Sequence, residues 1–190
     1  MFAGHFGLAA GVRAKTPEVP LWALMLATQL LDAVFVPLYL TGIETIDTPF
    51  GGGYGKGIIH ADYTHSLLGA MIIAVLAGML AKKCWGRKAG FVLGAVVFSH
   101  WLLDLVVHRA DMPILPGNWG NLPLLGFGVW KLEGLSIALE LLLLIIGFIL
   151  YMRSALRKAG GTRVKEAILS SIVLGIMLVF ALATDVLSLF

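Results

Sequence analysis

Runs of apolar residues, each about as long as a membrane is thick, dominate this chain and are separated by short polar stretches. About 20 consecutive apolar residues suffice to cross the hydrocarbon core as an α-helix. The pattern predicts five such helices, at residues 19–42, 63–81, 89–108, 132–152 and 164–189, with a kink at Pro37 in the first. Residues 2–12 form a further apolar stretch that is only about half a membrane long. We therefore expect an all-α integral membrane protein, residues 1–190, with about five transmembrane helices and a short N-terminal half-helix in a single domain.

The composition supports a membrane protein without a separate soluble domain. The chain is 59% hydrophobic and only 13% charged, and its mean hydropathy is +0.93, whereas soluble domains are about a quarter charged. The net charge of +3 does not indicate nucleic-acid binding, because the basic residues lie in stretches that flank apolar runs. Cys84 is the only cysteine, so no internal disulfide can form. Arg13 and Lys15 follow the first apolar stretch rather than precede it, which is unlike a secretory signal.

The distribution of basic residues predicts the orientation in the membrane. Residues 82–88 contain four Lys or Arg, residues 153–165 contain five, and Arg13 and Lys15 follow the half-helix, so these stretches hold eleven of the fourteen. Loops rich in Lys and Arg face the cytoplasm. We therefore expect these stretches to be cytoplasmic in a bacterial inner membrane, with the C-terminus outside and with Lys56, Arg109 and Lys131 on the outer side.

This orientation gives the ionisable residues inside the apolar runs a common depth. At a rise of about 1.5 Å per residue, Asp32 and His100 each lie roughly 18 Å above the cytoplasmic start of their helices, and Glu140 lies about 20 Å above Arg153. Ionisable side chains at membrane depth are costly and usually mark a functional site. All five histidines of the chain also fall within or just above this layer: His5, His60, His65, His100 and His108.

This clustering favours a metal site. His100, Asp104 and His108 are spaced by four residues, which places them on one face of a helix. Imidazole and carboxylate ligands suit zinc above all, with manganese or iron as alternatives. The pattern leaves open whether one or two divalent ions bind, and the candidate ligands are His5, Asp32, His65, His100, Asp104 and His108.

Each of these residues also has an interpretation that needs no metal, and His5, near the N-terminus, could simply be solvated. Asp32 could bond a neighbouring helix, His65 could begin a helix at the interface, and the spacing of His100 and Asp104 could stabilise their own helix. His108 is as well suited to contact a substrate as to ligate. His60 and Asp62 are more simply loop residues.

Two further residues are candidates for catalysis. Glu140 could act as a general base or as an acid that orients a histidine. Arg109, with Lys56 across the outer face, could hold a phosphate or carboxylate group of the substrate. The outer loops at residues 43–62 and 110–131 are rich in Gly and Pro, and they could cover the site. A site at this depth favours an amphiphilic substrate, such as a phospholipid or an isoprenoid phosphate.

Several segments resemble a known family. The segments GHFGLAAG, ATQLLDAVF, DYTHSLLGA, SHWLLDLVVHRADMP and ALELLLL resemble bacterial multipass proteins that are catalogued as inner-membrane-bound, metal-dependent hydrolases, some of them described as LexA-binding. The resemblance covers most of residues 1–150 and implies a metal set of His5, Asp32, His65, His100 and Asp104. Leu31 and Ala110 stand where proline is expected. A weaker similarity links the order of these ligands to zinc-dependent phospholipases C, and some relatives of the family are called permeases.

We therefore expect a metal-dependent hydrolase that acts on a lipid-like ester or phosphoester near the extracytoplasmic leaflet, with membrane lipids as its surroundings and no nucleic-acid partner. The bound ion would lower the pKa of a water molecule, which would then attack the ester. Two alternatives remain open: a small transporter with a buried ion site, and a haem-binding protein that uses His65 and His100. Small residues in LGAMIIAVLAG would suit helix packing in a homo-oligomer.

Overall fold

This computed structural model describes residues 2–47 and 53–187. These residues form six α-helices and a two-stranded sheet, joined by turns and loops. Five residues of the predicted outer loop, 48–52, lie outside the described residues, as does the expected end of the last helix at residue 189. The elements in chain order are α1 (Phe2–Lys15), α2 (Leu21–Thr28), α3 (Leu30–Leu40), β1 (Thr45–Asp47), β2 (Ile58–His60), α4 (Leu67–Val107), α5 (Glu133–Ala159) and α6 (Val164–Val186).

The helices agree with a helical membrane protein. Helices α4, α5 and α6 are each long and apolar enough to cross a bilayer, and α2 with α3 would form a fourth, bent crossing. Their outward faces carry large apolar side chains, among them Phe91, Ile176 and Val179. In a soluble protein such a surface would be an association site, whereas in a bilayer lipid would solvate it directly.

The first predicted span is broken, but not at the predicted residue. Helices α2 and α3 are inclined by 48° to each other, and the break lies at Gln29, which has φ −111° and ψ 11°. Pro37 lies inside α3 instead of at the bend. Gln29 has a partner that sequence cannot reveal, because its side-chain amide donates a hydrogen bond to the carbonyl of Phe2 at 3.0 Å.

Helix α4 is a tight hairpin of two antiparallel halves. A straight helix of its 41 residues would be about 60 Å long, yet Gly78 and Gly90 lie against each other: a Cβ on Gly78 would be 2.9 Å from the Gly90 carbonyl oxygen. The chain reverses at Gly86, whose φ of 86° and ψ of 175° are accessible to glycine at little cost. Most of the predicted connection at residues 82–88 is therefore helical, and the turn itself is confined to Gly86.

Helix α1 lies inside the bundle and packs against α5, α2 and α6. It extends three residues beyond the predicted end at residue 12 and is lined by small buried residues. Its closest approach is to α5, where a Cβ on Gly147 would fall only 1.9 Å from the Gly7 carbonyl oxygen. Contact between the two backbones therefore fixes the position of α1 and of His5, which α1 carries.

The Gly7–Gly147 contact predicts a stability effect. Gly147→Ala must push α1 away from α5, and overpacking of this kind typically costs about 1–3 kcal/mol. We expect a lower midpoint of thermal unfolding in detergent. Gly134→Ala on the same helix is the control, because nothing lies within 4 Å of a Cβ there. A Gly147→Ala variant as stable as the Gly134→Ala variant would contradict the close approach.

Candidate metal centre

Five histidine and aspartate side chains from separate parts of the chain meet inside the bundle. His5 comes from α1, Asp32 from the first turn of α3, and His65 from the turn just before α4, while His100 and Asp104 lie in the second half of α4. The hairpin in α4 brings residues 65 and 100 together, and the break at Gln29 precedes Asp32. Four of the five side chains are buried, and only the Asp32 side chain, 41% exposed, is open on one side.

The metal-binding atoms of His65 and His100 point at each other and at two carboxylates. Their Nε2 atoms are 3.3 Å apart. The Nε2 atom of His100 is 3.0 Å from Oδ2 of Asp104, and the Nε2 atom of His65 is 3.3 Å from Oδ1 of Asp32. Two imidazole nitrogens and two carboxylate oxygens thus surround one small volume.

His5 adds a third imidazole on the opposite side of Asp104. Its Nε2 atom lies 3.3 Å from Oδ1 of Asp104, and its ring centroid is 3.9 Å from that of His100. The buried Nδ1 atom of His5 has no hydrogen-bond partner among the described residues, and a buried polar atom of this kind calls for an explanation. An ion bound at Nδ1 itself would supply a partner for this atom, whereas an ion bound at Nε2 beside Asp104 would not.

These residues form two groups of three ligands, and each group could hold a metal ion. One group is His5, His100 and Asp104, and the other is Asp32, His65 and His100; within each group, the ligand atoms lie within 4.8 Å of one another. His100 belongs to both groups. Asp104 directs Oδ1 to His5 and Oδ2 to His65 and His100.

Hydrogen bonds at Nδ1, on the side of each ring that faces away from the cluster, orient the imidazoles of His65 and His100. Nδ1 of His100 is 2.7 Å from the carbonyl oxygen of Thr28 and therefore donates to it. Nδ1 of His65 is 2.9 Å from Oγ1 of Thr64. Such partners fix the ring orientation and leave Nε2 free for a metal. Thr28 is the last residue of α2, and the carbonyls at a helix end lack partners within the helix. The break at Gln29 therefore makes the Thr28 carbonyl available to His100.

Sequence reasoning missed the group that supports His65. The buried carboxylate of Glu44 accepts hydrogen bonds from the backbone N–H groups of Tyr63 and Thr64 at 2.8 Å and from the Thr64 hydroxyl. The indole of Trp101 donates to the His65 carbonyl at 2.8 Å. Nothing in the sequence around Glu44 indicates that this loop residue positions a histidine. A tryptophan in an apolar helix, such as Trp101, is usually interpreted as a packing residue.

His108 lies at the edge of the cluster. Its Nε2 atom is 3.9 Å from Oδ2 of Asp104, and its Nδ1 atom is 2.9 Å from Oδ1 of Asp111. Its ring lies against Trp130, with 4.3 Å between ring centroids. The histidine is thus oriented toward the cluster, but it belongs to neither group of three.

Glu140 lies beside the start of α1 and is held by hydrogen bonds there. It is fully buried, and it accepts from the backbone N–H of Gly4 at 3.0 Å and from the hydroxyl of Tyr54. Burial and the neighbouring carboxylate raise the pKa of Tyr54, so the phenol stays protonated and donates. Asp185, near the C-terminal end of α6, accepts from the Ala3 N–H at 3.3 Å. Two carboxylates thus complete the N-terminal turn of α1, where negative charge is favourable.

Arg109 joins the two outer loops by a hydrogen bond. Its guanidinium donates to the Gly57 carbonyl at 3.0 Å, close to β2. Strands β1 and β2 pair antiparallel, and Met112 pairs with Leu125 in the second outer loop. Lys56 is exposed. His60 is the last residue of β2 and pairs with the exposed Asp47 at 3.1 Å, so it lies in a strand rather than in a loop and outside the cluster.

The geometry defines a buried cluster of histidine and aspartate residues in a helical protein of membrane type. A comparison of the chain with protein-family models, with curated proteins and with solved structures gives no significant match. The side chains themselves must therefore carry any assignment of function.

The cluster predicts bound metal that depends on its central pair. A His100→Ala, Asp104→Ala double variant should lose most of the metal found by elemental analysis, because it removes ligands from both groups of three. The matched control is His60→Ala with Asp47→Ala, which removes an exposed pair of the same residue types. Equal metal content in the two double variants would contradict the assignment.

The hydrogen bond between Thr64 and the His65 ring predicts that a change at Thr64 weakens metal binding less than the loss of a ligand does. Thr64→Val removes the hydroxyl that joins His65 to Glu44, and losing such a partner typically weakens metal binding about 10–100-fold. Thr41→Val is the control, since that exposed hydroxyl bonds only to carbonyls of its own helix. Competition with a chelator of known affinity measures both variants, and unchanged affinity in Thr64→Val would refute the supporting role.

Proposed function

We propose that this chain is a membrane-embedded, metal-dependent hydrolase that acts on an amphiphilic ester or phosphoester near the extracytoplasmic leaflet. The convergence of three histidines and two aspartates on one buried volume carries this proposal. A divalent ion held there would polarise the scissile group and lower the pKa of a bound water. The N and O ligands without sulfur suit zinc best, with manganese or iron as alternatives and one or two ions. The resemblance to inner-membrane-bound, metal-dependent hydrolases points the same way.

Different residues of the cluster would bind the metal and face the substrate. His65, His100, Asp32, Asp104 and His5 would hold the metal. Asp32, as the only half-exposed member of the set, marks the side from which a substrate would approach. Asp32 lies on α3, whose exposed residues include Val36, Tyr39 and Leu40, and this apolar surface favours lateral entry of a lipid-like molecule.

Glu140 and Arg109 would act indirectly, by positioning other parts of the site, whereas the sequence suggests direct roles in catalysis. Hydrogen bonds hold Glu140 against α1, the helix that carries His5, so its role would be to fix that ligand in place; proton transfer by Glu140 remains the sequence-based alternative. Arg109 would position the outer loops above the site through its bond to Gly57, with its remaining N–H groups available for a phosphate.

The proposed topology has five crossings in a bacterial inner membrane. Helices α2 and α3 form one bent crossing, the two halves of α4 form two, and α5 and α6 form two more. The turn at Gly86 and the connection between α5 and α6 carry most of the basic residues and would face the cytoplasm. The metal cluster would then lie in the outer half of the bilayer.

Transport is the second candidate, and one observation favours it. Transporters build ion sites at broken helices, and here the α2–α3 break at Gln29 lies next to the cluster. The haem alternative fits the cluster poorly. The carboxylates of Asp32 and Asp104 lie within 3.6 Å of the Nε2 atoms of His65 and His100, in the space that a porphyrin between the rings would need.

Hydrolysis is tested with metal-loaded protein in lipid nanodiscs and a panel of phospholipids, isoprenoid phosphates and simple phosphoesters. We expect product release that falls at least 100-fold on chelation, returns with added zinc, and is lost in His65→Ala but retained in His60→Ala. Metal-dependent ion flux in vesicles, with no product from any substrate, would overturn the hydrolase and favour the transporter.

A further inference from the structure

A basic cavity lies at the C-terminal end of α1, whereas the metal ligand His5 lies near the start of that helix. It has a volume of about 380 Å³ and lies between the C-terminal ends of α1 and α5. Four cationic side chains line it: Lys15, Arg153, Arg157 and Lys158. No Asp or Glu belongs to its wall as far as the chain is described.

The arrangement follows from helix geometry. Residues 150, 153, 154, 157 and 158 of α5 all line the cavity, and spacings of three and four residues place them on one helix face. The hydroxyl of Ser154 donates to the Ala14 carbonyl at 3.1 Å, which fixes the end of α1 against this face. The contact between α1 and α5 therefore brings four exposed cations to one cavity.

Among the described residues, no acid forms an ion pair with the cations of this cavity. Glu18 is close enough to Lys158 to interact with it electrostatically, but its carboxylate forms its ion pair with Lys88 at 2.6 Å. Basic residues in the last turn of a helix favourably offset its dipole, which accounts for Arg157 and Lys158. It does not account for Arg153 one turn earlier, or for a cavity that brings the four cations together.

The surroundings of the cavity are amphiphilic. Leu150 forms part of its wall, and the exposed face of α5 continues from there through Ile149, Ile146 and Ile145. A ligand that matches this surface has an anionic head and an apolar body. Basic pockets between helices on the cytoplasmic side of membrane proteins bind the head groups of anionic lipids.

We infer that the cavity between α1 and α5 binds the phosphate group of an anionic phospholipid, with the acyl chains lying along the apolar face of α5. This site is separate from the metal cluster and does not depend on the proposed hydrolysis. The shared chemistry is that of a phosphate, and the lipid is favoured over free phosphate because the apolar face adjoins the cations.

Native mass spectrometry of the full chain, released from detergent with added lipid, tests the inference. The probes are phosphatidylglycerol, phosphatidylcholine and inorganic phosphate. The test variant is Arg153→Gln with Arg157→Gln. The control is Arg163→Gln with Lys165→Gln, which removes the same charge from exposed positions that do not line the cavity.

We expect saturable binding of phosphatidylglycerol, at least tenfold stronger than that of phosphatidylcholine, reduced at least tenfold in the test variant and less than twofold in the control. Circular dichroism of both variants confirms that they remain folded. Equal losses in both variants, no loss in either, or displacement of the lipid by millimolar inorganic phosphate would overturn the inference.

Discussion

The cost of placing charged and polar side chains inside an apolar bundle constrains every other feature of this structure. Removing such a group from water is unfavourable unless another group satisfies it. Here the imidazoles of His65 and His100 contact carboxylates through Nε2 and an oxygen atom through Nδ1. Only a fixed arrangement can meet both demands at once, so the surrounding helices must hold these rings in place.

Departures from regular helix provide that arrangement. The break at Gln29 makes the Thr28 carbonyl available to His100, and the reversal at Gly86 lets two distant segments of the chain supply His65 and His100. The short α1 begins inside the bundle, where Glu140 and Asp185 accept hydrogen bonds from its first backbone N–H groups. Each irregularity would weaken an isolated helix, and each one here places or supports a candidate ligand.

The hydrophobic pattern was enough to locate the helices, because apolar length is a local property of the sequence. The depth of His100 and Asp32 along those helices also predicted that they would lie near each other. What could not be predicted are the contacts made across the fold. The bend was expected at Pro37, since proline is the usual local signal, but it occurs at Gln29, whose side chain bonds to Phe2. Glu44 and Tyr54 lie in loops and acquire roles only through distant partners, Thr64 and Glu140.

X-ray absorption spectroscopy at the edge of the bound metal is the most direct test of the central claim. For zinc, the structure predicts nearest neighbours that are nitrogen and oxygen only, at about 2.0–2.2 Å, with the outer-shell scattering of at least two imidazoles. Cys84, the only cysteine of the chain, is exposed and outside the cluster. Sulfur in the first shell, or a shell of oxygen without imidazole, would contradict a metal held by His65 and His100.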